Sequence, residues 1–335
     1  MREMQIAKMM IHKWEEEPIS GIGRGYDGTF AIFFYGCTMR CVYCQNSKIS
    51  HRRDELNNCR GGYHPPACWG ELNNCRGGYH PPACWGEHCE PVKINYTSEE
   101  LSDEIIKHQS ENIASISFIT GALYVDQIAE TIRLAKQKGL KLPVVYNSSG
   151  YETVAQIKKL EGLIDIYLPD FKYFDNELGK KYSGVPNYVD VAKSCIGEMD
   201  RQIAEAKNFC RGGLNNCSGE FNNCRGGYHP PVCRGEHCEP ALIVRHLVLP
   251  ANTENSKAVI KYLYDTYGDD ICLSIMSQYT PMPNNENIEK FPELLRKVTK
   301  REYEKVVNYA IELGVKNAFI QEGDVADESF IPEFR

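Results

Sequence analysis

Cys37, Cys41 and Cys44 form a C-x3-C-x2-C run directly after a β-rich segment. That spacing lets one compact loop turn three thiolates toward a single inorganic group, and thiolate sulfur is the ligand that iron-sulfur clusters take. The loop supplies no fourth cysteine, so one iron of a [4Fe-4S] cubane would stay open to a ligand of another kind. A structural zinc knuckle usually closes with four Cys or His ligands in paired spacings. Three unrelated buried thiols would seldom fall within one short loop when the remaining core has only Cys195 and Cys272. The cluster reading is therefore preferred to both.

The other cysteines follow a different logic. Of fifteen in the chain, five lie in residues 51–93 and five in residues 208–240. ELNNCRGGYHPPACWG, from Glu55 to Gly70, recurs letter for letter from Glu71 to Gly86, and EFNNCRGGYHPPVCRG, from Glu220 to Gly235, is a near copy. The Gly-Gly, Pro-Pro and Asn-Asn punctuation has neither a helical nor a strand period, which makes both regions inserted loops. Cys75, His80, Cys84, His88 and Cys89 could offer a zinc site, and Cys224, His229, Cys233, His237 and Cys238 repeat the pattern. Tandem identity favours repeat-derived loops instead. Without the two inserts about 260 residues remain, the size of one barrel-type α/β domain.

A chain of 335 residues, 42% hydrophobic, can bury a full core. A net charge of -7 argues against general binding to nucleic acid or to an anionic membrane. Met1 to Pro18 mixes charges without an apolar run, and no later segment is apolar enough to span a bilayer. A cytoplasmic protein is expected, and in a reducing compartment cysteines serve metal ligation before disulfides.

Positioning falls to alternating β-rich and amphipathic segments, the pattern of a mostly parallel sheet built from βα units. Strands are expected at residues 30–35, 114–119, 142–146, 164–168, 242–249, 271–276 and 317–320. Thr97 with Glu100 and Thr299 with Glu302 form capping boxes before helices, and Val125, Ile128, Ile132 and Ala135 make an apolar stripe ended by Gly139. Loops at the strands' C-terminal ends converge on one face in such folds. Besides the cysteine loop, those ends carry Thr120-Gly121, Asn147-Ser148-Ser149-Gly150, Asp170 with Lys172, Ser277-Gln278-Tyr279 and Gln321-Glu322. Arg245 and His246 are adjacent on a strand, so only one can look inward. His246 is taken as the better candidate because it can donate to a carboxylate without a fixed charge.

CTMRCVYC, with Tyr43 before the third cysteine, resembles the signature of the radical S-adenosylmethionine (SAM) superfamily. WEEEPISG (Trp14 to Gly21), VVYNSSGYE (Val144 to Glu152), IDIYLPDFKYF (Ile164 to Phe174), VRHLVLP (Val244 to Pro250), SIMSQYTP (Ser274 to Pro281) and IQEGDVADESFIPEF (Ile320 to Phe334) extend the likeness. They resemble the branch named after the pyruvate formate-lyase activating enzyme, across nearly all the core and none of the inserts. The resemblance implies an α/β fold, a partial (β/α) barrel; with the two Cys-rich loop insertions read from the repeats, a single domain of residues 1–335 is expected. It also implies a [4Fe-4S] cluster on Cys37, Cys41 and Cys44 whose open iron chelates SAM. Reductive cleavage to a 5′-deoxyadenosyl radical would follow, the work of an oxidoreductase fed by a flavodoxin- or ferredoxin-type electron donor. A glycyl radical enzyme is the implied partner substrate.

By the same match, Asn147 and Ser148 replace an Asp-Thr pair, and Asp170-Phe171-Lys172 matches an Asp-Leu-Lys. Lys172 is thereby expected to pair with the SAM carboxylate, and Asp170, Ser148, Asn147 and His246 to line the SAM site. Thr120 and Gly121 stand where activating enzymes carry a Gly-Gly-Glu-Pro segment that binds the SAM amino group, so here backbone groups would have to do that work. The competing reading is a noncatalytic metal-binding or redox protein with a degenerate SAM site.

Overall fold

A computed structural model describes residues 3–13, 15–50, 95–213, 242–282 and 288–321. Both repeat blocks lie outside these residues, as do Glu322 and the candidate zinc ligands.

The strands are β1 (Met4–His12), β2 (Thr29–Phe34), β3 (Asn95–Tyr96), β4 (Ser115–Ile119), β5 (Val144–Ser148), β6 (Ile166–Pro169), β7 (Ile243–Leu247), β8 (Cys272–Met276) and β9 (Ala318–Ile320). The helices are α1 (Glu17–Ser20), α2 (Ser47–Ser50), α3 (Ser98–His108), α4 (Val125–Gln137), α5 (Val154–Lys158), α6 (Asn176–Ser183), α7 (Tyr188–Gly213), α8 (Thr253–Tyr267) and α9 (Lys300–Leu313). β2, β4, β5 and β6 pair in parallel, as do β7, β8 and β9. Parallel bridges at Tyr167 with Leu242 and Asp170 with Arg245 join the two sets. The result is an open parallel arc, a partial (β/α) barrel. β1 runs antiparallel along β2, with Met10 opposite Ala31, and β3 extends that edge.

All seven expected strands form, with ends displaced by a residue or two. β1 is an addition: MQIAKMMIH is rich in methionine and carries Lys8, so its strand signal is weak. α7 runs to Gly213, past the expected start of the second insert at residue 208.

Burial on both sides of the arc explains the near-continuous apolar strands. Phe30, Ile32 and Phe34 of β2 face the helices with Phe118 and Val144. Ala31, Phe33 and Tyr35 point inward with Ile49 and Ile119. The helices dock as patterned: α4 buries Val125, Ile128, Ile132 and Ala135. Both expected capping boxes are present, and Thr153 with Gln156 forms a third before α5. No helix among the described residues is long and apolar enough to cross a membrane.

Candidate functional site

Parallel strands project their terminal residues to one end of the arc, and there they enclose a cavity of about 230 Å³. Cys37, Cys41 and Cys44 form part of its wall, beside Thr120, Asn147, Ser148, Ser149, Asp170, Lys172 and Arg245. Residues far apart in sequence meet because they sit in or just after the C-terminal parts of β2, β4, β5, β6 and β7.

Two close approaches set this end of the arc. Arg40 and Val42 donate backbone hydrogen bonds to Ser183 and Tyr182, at 3.0 and 2.8 Å, tying the cysteine loop to the end of α6. Gly150 adopts φ +72°, and a Cβ there would come within 2.1 Å of the Asp170 carbonyl oxygen. Only glycine lets the turn after β5 lie so close to the end of β6.

Each cysteine sulfur is hydrogen-bonded: Cys37 accepts from the Met39 N–H at 3.4 Å, Cys41 accepts from the Ser183 hydroxyl at 3.0 Å, and Cys44 lies 3.6 Å from Ser50 Oγ. Burial pushes the Cys37 thiol up to about 11 and the Cys44 thiol up to about 12, and it raises Cys41 as well. Free of metal, these groups are therefore protonated thiols, and ligation would release their protons.

Among the described residues, no group of three His, Cys, Asp or Glu side chains could hold a single metal ion. A cubane makes a different demand, since each thiolate takes its own iron corner and the sulfurs do not converge on one point. Three thiols of one loop on one wall fit that demand.

Beside them runs a charged network. Asp170 accepts from Lys172 Nζ and, at 2.9 Å, from Arg245 Nε. Arg245 also donates to Asn147 Oδ1 at 2.6 Å and reaches Glu15 at 3.4 Å, while Asn147 Nδ2 donates to Glu15 at 3.2 Å. Burial alone would raise the Asp170 carboxyl, but Arg245 and Lys172 hold it below its ordinary value. For Lys172 burial acts downward, and the charge of Asp170 and its hydrogen bond outweigh it, leaving the ammonium above its ordinary value. Glu15 has weaker compensation: burial lifts it to about 7 against the pull of Arg245. Two cations and two carboxyl groups thus share a small, largely dry space where orientation is fixed by ion pairs.

The sequence reading put His246 in this site, and the structure does not. Ile243, Arg245 and Leu247 share the inward face, whereas His246, only 2% exposed, faces the helices with Val244. Its Nδ1 lies 2.7 Å from the Phe171 carbonyl and its Nε2 2.9 Å from Ser256 Oγ on α8. Burial lowers its pKa to about 4, so it is a neutral, fully bonded core residue. Gly121 is likewise displaced. It packs against α4, where a Cβ would meet Ile128 at 2.3 Å, and it does not line the cavity. Thr120 does line it, with φ +61° and its N–H bonded to the Asn147 carbonyl.

Ser148 reaches the cavity wall, but its hydroxyl donates to Glu152 at 2.5 Å. Burial raises Glu152 to about 7, and its Oε1 has no hydrogen-bond partner. Glu15, His12 and Arg245 were not among the expected site residues. Glu15 lies within the WEEEPISG stretch that carried part of the resemblance, which is the one signal that could have found it.

No protein-family model matches the chain. An uncharacterized protein of Methanocaldococcus jannaschii is 25% identical over 279 residues, covering 83% of this chain. The chain spans about three fifths of that relative's length, 61%. Among solved structures, a domain of pyruvate-formate lyase-activating enzyme from Bacteroides vulgatus aligns with TM-score 0.39 and 13% identity, over 62% of this chain and 99% of that one. Streptococcus suis SuiB bound to S-adenosylmethionine aligns with TM-score 0.45 and 10% identity, over 87% of this chain and 49% of SuiB. SuiB bound to its precursor peptide SuiA gives TM-score 0.42 and 11% identity, over 87% and 47%.

Proposed function

We infer that this protein is a radical SAM enzyme. The observation that carries the reading is the meeting, in one cavity, of the three C-x3-C-x2-C thiols after β2 with Asn147 of β5 and with Asp170 and Lys172 after β6. When bound, a [4Fe-4S] cluster with SAM supplies one-electron cleavage of the sulfonium to methionine and a 5′-deoxyadenosyl radical. Cys37, Cys41 and Cys44 would hold that cluster, and three protein thiolates would leave one coordination position to SAM.

Lys172 offers a cation to the SAM carboxylate. Asp170 and Arg245 fix its approach, since a lysine tied on one side loses less rotamer freedom when it binds. Thr120, whose left-handed backbone turns beside the Asn147 strand end, lines the cavity where backbone groups could meet the amino group. The apolar inner face below the cavity keeps water from the reacting atoms. Hydrogen abstraction from a glycyl radical enzyme, the activating-enzyme role, is the finer assignment, with a flavodoxin- or ferredoxin-type donor supplying the electron.

Anaerobic incubation of the iron-reconstituted protein with SAM and dithionite is the test, read as 5′-deoxyadenosine. Cys41→Ala is expected to lose both cluster absorbance and product. Lys172→Ala should keep its iron and weaken SAM binding by about 1–3 kcal/mol, one charge-assisted hydrogen bond. Absence of 5′-deoxyadenosine from the wild-type protein with a full iron load would turn the assignment to a noncatalytic redox protein.

A further inference from the structure

Behind Cys41 stands a file of buried hydroxyl groups. Ser183 Oγ lies 3.0 Å from Cys41 Sγ, Tyr173 OH lies 2.7 Å from Ser183 Oγ, and Tyr43 OH lies 2.5 Å from Tyr173 OH. Tyr173 and Ser183 are fully buried, and Tyr43 and Cys41 are less than a tenth exposed. The four residues come from three places: the cysteine loop, the turn after β6, and the last turn of α6. The two backbone hydrogen bonds from Arg40 and Val42 to the end of α6 hold Ser183 in register with the sulfur.

The direction of this file is forced by proton count. A hydroxyl carries one proton. When Cys41 serves as a ligand its sulfur has none, so the Ser183 proton must point at the sulfur. The contact between Tyr173 and Ser183 then requires the Tyr173 proton, and the contact between Tyr43 and Tyr173 requires the Tyr43 proton. All three dipoles point the same way, toward Cys41. Aligned donors in a dry interior polarise one another, so the last bond in the file is stronger than an isolated serine could make. The side-chain contacts of the other two sulfurs are longer, 3.4 Å from the Met39 N–H to Cys37 and 3.6 Å between Cys44 and Ser50.

We propose that Tyr43, Tyr173 and Ser183 act as a hydroxyl relay that raises the one-electron reduction potential of the cluster through the Cys41 sulfur. The inference rests on the function proposed above. Hydrogen bonds to cluster sulfurs are a recognised lever on potential, because they favour the form with the greater negative charge. In the couple considered, one electron passes from dithionite through a mediator to the oxidised cluster, and no proton need move. Tyr173 and Ser183 lie behind the cavity wall, and Tyr43 is part of that wall. All three are positioning residues that act through Cys41.

The relay predicts an order. Ser183→Ala removes the donor to the sulfur. Tyr173→Phe leaves that donor and removes its polarisation, and Tyr43→Phe removes only the far end.

Anaerobically reconstituted wild-type protein and the three variants would be titrated with dithionite and mediators, with the reduced cluster read by electron paramagnetic resonance and iron counted in parallel. The expected result is unchanged iron and a lower midpoint potential in every variant, falling most for Ser183→Ala. For that variant a decrease of about tenfold in the reduction equilibrium corresponds to ~59 mV for one electron. If Ser183→Ala fails to load iron, Tyr173→Phe, which keeps Ser183 and the loop, decides the matter. Equal potentials in iron-replete wild type and Tyr173→Phe would overturn the relay while leaving the enzyme assignment standing. Failure of the wild type itself to assemble a four-iron cluster would overturn that assignment and the relay together.

Discussion

At the residue scale, the site is built from groups whose ordinary ionisation has been altered by burial. Glu152 shows the consequence most directly, because its carboxyl is raised to about 7 from 4.5 and one oxygen has no partner. A folded-state pKa above the unfolded value means that the contribution to stability is complete below about 4.5 and lost as pH rises through 7. Glu152→Gln removes that dependence. Thermal or urea unfolding of the metal-free protein should show the variant gaining on the wild type by about 3 kcal/mol between pH 4.5 and pH 8, the equivalent of the shift. A difference that stays flat across that range would mean that Glu152 is ionised in the fold. Adjacent strand positions explain why residue roles were only partly legible. Arg245 and His246 each have apolar neighbours two positions away, Ile243 and Leu247 for one, Val244 and Val248 for the other. In a sheet covered on both faces, alternation cannot say which set looks inward. The preference for a donor without a fixed charge then favoured His246, and it is Arg245 that lines the cavity.

Elements were more legible than roles, for a physical reason. Seven strands and the α3, α4 and α9 helices announced themselves by caps, stripes and β-branched runs, which are local signals. β1 did not, because its identity depends on pairing with β2, and with it went the approach of Glu15 and His12 to the cavity. The cysteine loop was legible in full as a motif, while its attachment to α6 was not, since Arg40 and Ser183 are far apart in the chain. Long-range docking also sets the relation of β5 to β6 through Gly150. Gly150→Ala, with its left-handed φ and a backbone oxygen in the way, should destabilise the fold by roughly 2–4 kcal/mol. Gly139→Ala has a similar positive φ with nothing within 4 Å, and should cost only about 1–2 kcal/mol. Urea midpoints for the two variants make the comparison. Equal losses would show that conformational preference alone, and not the contact with Asp170, holds the turn.

For the whole molecule, the elements of the described residues form a partial barrel, and the repeat blocks lie outside those residues. The first block enters between α2 and β3, and the second between α7 and β7. Replacing residues 55–91 and 214–240 with short Gly-Ser linkers should leave a protein that folds, takes up four irons and cleaves SAM, because loop-closure entropy varies slowly with length. Iron and zinc analysis of the shortened chain checks this. Metal lost beyond the four irons, or activity lost with it, would make the blocks part of the working protein.

The junction between β6 and β7 has a consequence of its own. Two isolated bridges and the hydrogen bond from Phe171 N–H to the Arg245 carbonyl, at 2.8 Å, join two separately laddered leaves. One leaf carries Asn147 and Asp170, and the other carries Arg245, so the ion pair that furnishes the cavity is also a rivet across the thinnest line of the sheet. A molecule gripping Lys172 and Arg245 together would staple the leaves and oppose any opening along that line. Occupancy would then be felt mechanically, as a stiffening of the arc whose first sign is slower amide exchange in β6 and β7.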